Sequence, residues 1–513
     1  MNRLVTGLVS LLTLCQVGVL QAQTPRLVVM ITIEELRADL LEELSKELPQ
    51  DGINQLLRNG RYYTRVESPL LSADHTASEA VLHTGAYAWS NGIAERQPIK
   101  RDRQGQRTAL ASVFEDKGYL GYATSANFSP LALTAPTIGD NLKRALGSNA
   151  LVYSVAPHPE EAIIGAGLYG NAAYWIDKYT GRWASSTYYS RDFAWFIDKG
   201  NGTKESLPSR LDSGITWKPS KSGYPLGSGG TFSHRFKKTY GDISDFIDSP
   251  LVNDEVISTA VKLLEYTDLG KDDVTDFLSL HLTAADGNKG TSDLSAEVID
   301  SYYRVDRSIA QLLKQLDLKQ TLVVLAGNGQ SREYPPAIID DRRLFKTDRC
   351  LALVNMYLHA EYGMQGLVEE ITPSGKVYLN RQAIKQNGRY QLQEIQSAVS
   401  DFLLEFSGVA YAVEEHRLRH EALSGSLNRA WLTALNSATN ADRPDVVFGL
   451  LPSWIVQDRS KQGGVEPYRM VATPTIFVML HPTLKSETIE VPLPLHEVAT
   501  KIAWVLKIRP PTP

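Results

Sequence analysis

From Leu27 to Ile33 the chain reads LVVMITI, an apolar run of strand length, and it passes directly into EELRADLL, where apolar positions recur at helical spacing. DGINQLLRNG follows as a second helix, with Asp51 available as a cap and Gly60 at its end. The same succession of helix and strand returns in LASVFEDKGYLGYATS, DVTDFLSLHLTAADGN, IAQLLKQLDLKQTLVVLAGNGQ and TPTIFVML. Strands alternating with helices predict an α/β fold, a central and mostly parallel sheet flanked by helices. Such sheets bind ligands beyond the carboxyl ends of their strands. Interest therefore falls on Glu34-Glu35, Ser72 to Thr76, Asp286 to Gly290, Asn328-Gly329 and the loop before Thr473.

Two stretches break the pattern. Residues 189–251, with WKPSKSGYPLGSGGTFSH, are rich in aromatic, Gly, Ser and Pro residues, and residues 358–443 form a second interruption. Both read as insertions carried by one domain spanning 23–513. Residues 1–22 read as a secretory signal peptide, with Arg3, an apolar run and a cut near Ala22 or Gln23. This predicts an exported chain, periplasmic or at the cell surface, with no transmembrane segment after cleavage. Leu14 is too bulky for a lipoprotein signal at Cys15, and Cys350 then remains alone in an apolar stretch, as a core residue.

Composition adds exclusions. The chain has 513 residues, 43% of them hydrophobic and 22% charged, with a net charge of −5. No basic block exists to follow a phosphate backbone, so no nucleic acid is expected as a partner. The ligand or protein partner is not encoded in any such feature.

HTGAYAWSNGI, GNAAYWIDKYTGRWASSTYY (171–190), SPLVNDEVISTAVKLLEYTDLGKDDVTDFLSL (249–280), SYYRVDRSIAQLL (301–313) and RPDVVFGLLPSW (443–454), in this order and spacing, resemble the alkaline phosphatase superfamily. The nearest type is the monomeric exported alkaline phosphatases related to nucleotide pyrophosphatase/phosphodiesterases. The resemblance implies two zinc ions held by Asp and His at strand ends. It also implies a Thr nucleophile at a helix N-terminus and a Lys/Arg pair on the phosphoryl oxygens, the groups an in-line displacement needs.

Position by position, this chain departs from that pattern. The first metal-binding Asp falls on Glu34. The nucleophile, counted back from Thr84-Gly85, falls on His75, with Thr76 beside it as a displaced nucleophile or, preferably, the cap of a Thr76-Ala77-Ser78-Glu79 capping box. The assisting Asn falls near Arg96, and the Lys-x-Arg pair on His158 and Glu160. Asp286 is kept, its companion His falls on Lys289 or Gly290, and the next Asp-His pair is Asn328-Gly329. The last His is replaced within QGGVEPY.

Zinc needs about four close donors per ion. Glu34 and Asp286 are too few for a pair, so no cofactor is expected, and the chain reads as a pseudoenzyme that keeps the fold and a binding role. The competing reading is a divergent phosphate or sulfate ester hydrolase with a reduced metal site, zinc included. His416 and His420, four apart, lack the Glu of a zinc-protease motif and read as a solvated face. Glu34-Glu35 does not read as the carboxylate pair of a glycoside hydrolase, because adjacent residues seldom aim at one point. The aromatic residues of 174–190 suit packing as well as ligand stacking.

Overall fold

The computed structural model describes residues 24–511 apart from 72–74, 103–105, 225–229, 288, 293, 330–342, 419–428, 452–453, 459–465, 469 and 471. The stretch read as a signal peptide, His420 and most of QGGVEPY lie outside the described residues. No helix among the described residues is long and apolar enough to cross a membrane.

An 11-stranded mixed sheet forms the centre. Its middle is parallel: Leu27–Glu34 lies between Asp276–Thr283 and Thr321–Gly327, and Asp276–Thr283 pairs onward with Val152–Val155. Thr475–Leu480 closes one side as an antiparallel neighbour of Thr321–Gly327. The α/β architecture expected from the alternating pattern is therefore present, with helices on both faces.

Those central strands are apolar on both faces because both are covered. On one, Val29, Ile31, Ile33, Leu278, Leu280 and Leu282 share a core with Leu40, Val256, Ile299 and Ile309. On the other, Val28, Met30, Phe277, Leu322 and Val324 pack against Ala77, Val81, Leu142 and Ile502. Burial of each large aliphatic side chain contributes roughly 1.5–3 kcal/mol.

Both regions of altered texture have their own structure. Within 189–251, Trp217 donates its indole N–H to Asp300 at 2.5 Å and Tyr224 donates to the same carboxylate at 2.7 Å, which fastens the segment to the long helix Ala296–Leu313. Further on, Val368–Ile371, Lys376–Leu379, Val446–Leu450 and Val409–Glu414 build a separate four-stranded antiparallel sheet with its own core. The helix Thr347–Tyr362 covers it, and Cys350 is buried there, its thiol pushed up to about 12 by burial. Most of the 174–190 aromatics pack inward, with Trp175 and Trp183 in the core, whereas Tyr179 is exposed.

The strand 321–327 ends as it does for steric reasons. A Cβ on Gly327 would lie 1.7 Å from Thr475 Oγ1, so no side chain fits where the two strands meet. Gly329 takes φ +74°, in the region that favours glycine, and its carbonyl accepts from Thr473 N at 2.8 Å.

Candidate functional site

Register brings the site together. Glu34 pairs with Thr283 and Ile33 with Gly327, so three strands end at one level. Side chains alternate between faces, so Thr32 and Glu34 share one face with Ser279 and His281, their neighbours on the next strand. Val28, Met30 and Phe277 occupy the lower part of that face. It is apolar below and polar at the carboxyl end.

The helix His75–Thr84 lies across this polar end. His75, Glu79 and His83 recur every four residues and form one stripe. Glu79 Oε1 accepts from Thr32 Oγ1 at 2.7 Å and lies 3.2 Å from His83 Nε2, while Glu79 Oε2 is 3.4 Å from His281 Nδ1. Thr32 Oγ1 is itself 2.9 Å from His281 Nδ1, and Ser279 Oγ is 3.3 Å from His83 Nε2. Burial raises the Glu79 carboxyl, but the charge and hydrogen bonds of His281 and His83 outweigh this and hold it low. Burial lowers His281, yet Glu79 and Glu34 bring its imidazole up to about 10.

This arrangement overturns the capping-box expectation. Thr76 lies inside the helix and its hydroxyl is 3.4 Å from Glu161 Oε1. Glu79 faces the sheet, because its charge is satisfied there by imidazole. Thr76 is also fully buried, which leaves no exposed hydroxyl for a displaced nucleophile.

His75 occupies the head of the helix. Its Nε2 is 2.6 Å from Glu34 Oε1, and its Nδ1 is 3.4 Å from the Asn328 amide. Burial disfavours charge on His75, but the Glu34 carboxylate raises it overall, and Glu34 is held well below the usual carboxylate range despite its own burial. Glu35 has φ +58°, uncommon outside glycine. Tyr302 fixes this kink: its hydroxyl donates to the Glu35 carbonyl at 3.0 Å and accepts from Arg37 N at 2.9 Å. The kink redirects the second side chain, so the ligand atoms of Glu34, Glu35 and His75 all lie within 4.8 Å of one another. Adjacent glutamates do converge here, contrary to the expectation that neighbouring residues seldom aim at one point.

The remaining positions are engaged elsewhere. Arg96 Nη2 is 2.9 Å from Glu161 Oε1 and its Nε is 3.6 Å from Glu160 Oε2, while Ser112 donates to Glu160 at 2.6 Å. His158 pairs with Asp248, within residues 189–251, at 2.9 Å. Asp286 is buried and accepts from Gly290 N at 2.7 Å; Lys289 pairs with Asp245. His416 Nδ1 is 3.2 Å from Gln396 Oε1.

A pair of zinc ions does not fit these residues. Gly329 offers no side-chain donor, Asn328 turns its amide toward His75, and the Lys289 ammonium stands in the loop that carries Asp286. Thr32, His83 and His281 went unnoticed in the sequence, and Glu79 figures there only as the far end of a capping box. Two signals mark them: the His75, Glu79, His83 spacing, and the alternation of Ser279 and His281 with leucines in DFLSLHLT.

Fold and strand-end site together define a protein of the alkaline phosphatase superfamily. Residues 28–470 match the family model described as type I phosphodiesterase / nucleotide pyrophosphatase, and the chain belongs to that family. It is 25% identical over 86% of its length to a protein of Myroides odoratus named calcium-transporting ATPase, covering 84% of that protein. It is 24% identical to the alkaline phosphatase PafA of Elizabethkingia meningoseptica, over 58% of this chain and 57% of PafA. The crystal structure of wild-type PafA superposes with a TM-score of 0.81 at 19% identity, covering 95% of this chain and 97% of that one.

Proposed function

We propose that this protein is a non-hydrolytic member of its phosphoester hydrolase family, exported to the periplasm or cell surface, and that its cleft serves in binding. The observation that carries this reading is the Arg96 guanidinium held by Glu160 and Glu161 at 3.6 and 2.9 Å. A phosphoryl group requires cationic groups free to meet its oxygens. Here the one guanidinium at the relevant position is neutralised, a carboxylate stands where the resemblance places a cation, and His75 replaces the hydroxyl nucleophile. Fold and chemistry depend on different residues, so the first outlasts the second.

Assays of purified protein on aryl phosphate, phosphodiester and sulfate esters test this. No turnover is expected with or without added zinc. Turnover abolished by Asp286→Ala overturns the reading. The cluster of Glu34, Glu35 and His75 favours one second reading, a hydrolase working with a reduced metal site, for which Glu35→Gln would abolish a measurable activity.

A further inference from the structure

We propose that the cavity between the main body and the second sheet binds a small organic monoanion, a carboxylate or sulfonate carried on an aromatic or aliphatic body, with Lys100 as its counter-charge. The site is separate from the strand-end cleft and stands whether or not that cleft hydrolyses esters. The cavity has a volume of about 440 Å³, within the roughly 300–1,000 Å³ of small-molecule sites. Residues 89–134 supply one side and Thr439 to Asp442 the other. Junctions of this kind are where such sites collect.

The walls suit a ligand with an apolar body. Trp89, Ala94, Pro98, Val113 and Ala132 line the cavity. The backbone around them is fastened: Thr134 donates from N to the Asn91 carbonyl at 2.9 Å and from Oγ1 to the Ser90 carbonyl at 2.7 Å. Across the junction, Arg101 N donates to the Ala441 carbonyl at 3.0 Å. The space is therefore built before any ligand arrives, which removes the cost of ordering it on binding. Ala94 and Pro98 belong to this cavity, whereas Arg96 between them is held by Glu160 and Glu161.

Charge selects the ligand. In the strand Ile99–Arg101 the outer two residues are buried and Lys100 is exposed, so alternation turns Lys100 to the other face, where it lines the cavity. Its ammonium has no ion pair or hydrogen bond among the described residues. Asp442, a carboxylate in the same lining, is already neutralised: Oδ2 is 2.6 Å from Lys376 Nζ, and Oδ1 accepts from Thr439 N and Oγ1 at 2.8 and 3.0 Å. Asp116 lies within reach of the Lys100 charge, but its own oxygens are taken by Ser129 Oγ at 2.6 Å and Gly118 N at 2.9 Å. Ser90 and Asn440 add a hydroxyl and an amide to the lining. One cation among apolar walls matches a monoanion with an apolar body. Inorganic phosphate brings no such surface for the walls to cover.

Titration of purified full-length protein with 8-anilinonaphthalene-1-sulfonate, followed by its fluorescence, tests the site; N-phenyl-1-naphthylamine supplies the same body without the charge. One sulfonate per chain is expected, bound at least 10-fold more tightly than the neutral amine and not displaced by millimolar inorganic phosphate. Lys100→Met should weaken the sulfonate about 10- to 100-fold and leave the amine within twofold; the residue is exposed and carries no part of the core. Ser90→Phe should fill the cavity and weaken both dyes, with thermal melting by circular dichroism confirming the fold. Asn440→Trp, on the opposite and exposed wall, serves if that variant does not fold. Absence of saturable binding, equal sulfonate affinity in Lys100→Met, or unchanged binding in a folded filling variant overturns the site. Displacement by phosphate would assign the dye to the cleft and overturn it as well. Ester turnover in the same preparations removes only the non-hydrolytic reading.

Discussion

Glu79 and His281 face each other across the helix–sheet interface with Oε2 and Nδ1 3.4 Å apart, and both side chains are inaccessible or nearly so. An ion pair at that depth forfeits the hydration of two charges, so its value depends on both partners being present. Glu79→Leu and His281→Leu should each destabilise the protein by about 3–5 kcal/mol. The double variant should be more stable than the sum of the two losses by roughly 1–3 kcal/mol. Urea unfolding of the four proteins measures this, and strict additivity would show that the two groups are not coupled.

Lys376 links the second sheet to the main body. Its ammonium is 2.5 Å from Glu95 Oε1 and 2.6 Å from Asp442 Oδ2, fully buried, and both carboxylates keep it charged in spite of that burial. Lys376→Met removes the cation held between two carboxylates and should cost about 3–5 kcal/mol. Limited proteolysis should then cut the segment of the four-stranded sheet faster than in the wild type. An unchanged cleavage rate would mean that the apolar contacts alone hold this segment in place.

Asp306 supplies a pH dependence of definite sign. It accepts from Ile53 N at 2.7 Å, and burial raises its carboxyl from 3.8 to about 6. The folded state therefore holds the proton more tightly than the unfolded chain does. This group favours folding below about pH 4, and the contribution declines as pH rises through 6. Asp306→Asn keeps an oxygen acceptor for Ile53 and should raise the Tm at pH 7.5 while leaving it little changed at pH 4. A lower Tm at pH 7.5 would show that the charge is needed there.

His75→Thr places a hydroxyl at the head of the helix, yet it should not create phosphatase activity. Arg96 remains tied to Glu160 and Glu161, and Asn328-Gly329 still contribute no carboxylate or imidazole. Assay with an aryl phosphate decides the matter: turnover in this single variant would require a phosphoryl-binding set elsewhere in the cleft.

Sequence by itself determined the alternating strands and helices and pointed to the strand ends, and the resemblance it carries implies departures from the family pattern at Glu34, His75, Arg96, His158, Glu160, Asn328 and Gly329. Apolar periodicity is local, and a motif is a matter of spacing, so both are readable along the chain. The tertiary structure alone decided what those residues do to one another. Thr32 meets Glu79 and His281, 47 and 249 residues away, only because parallel register aligns two strand ends under one helix. Glu34 and Glu35 converge only because Tyr302 holds a left-handed kink between them. Arg96 is neutralised only because the fold brings two glutamates from a distant helix to it. Charges act through space, and chain order does not give their distances.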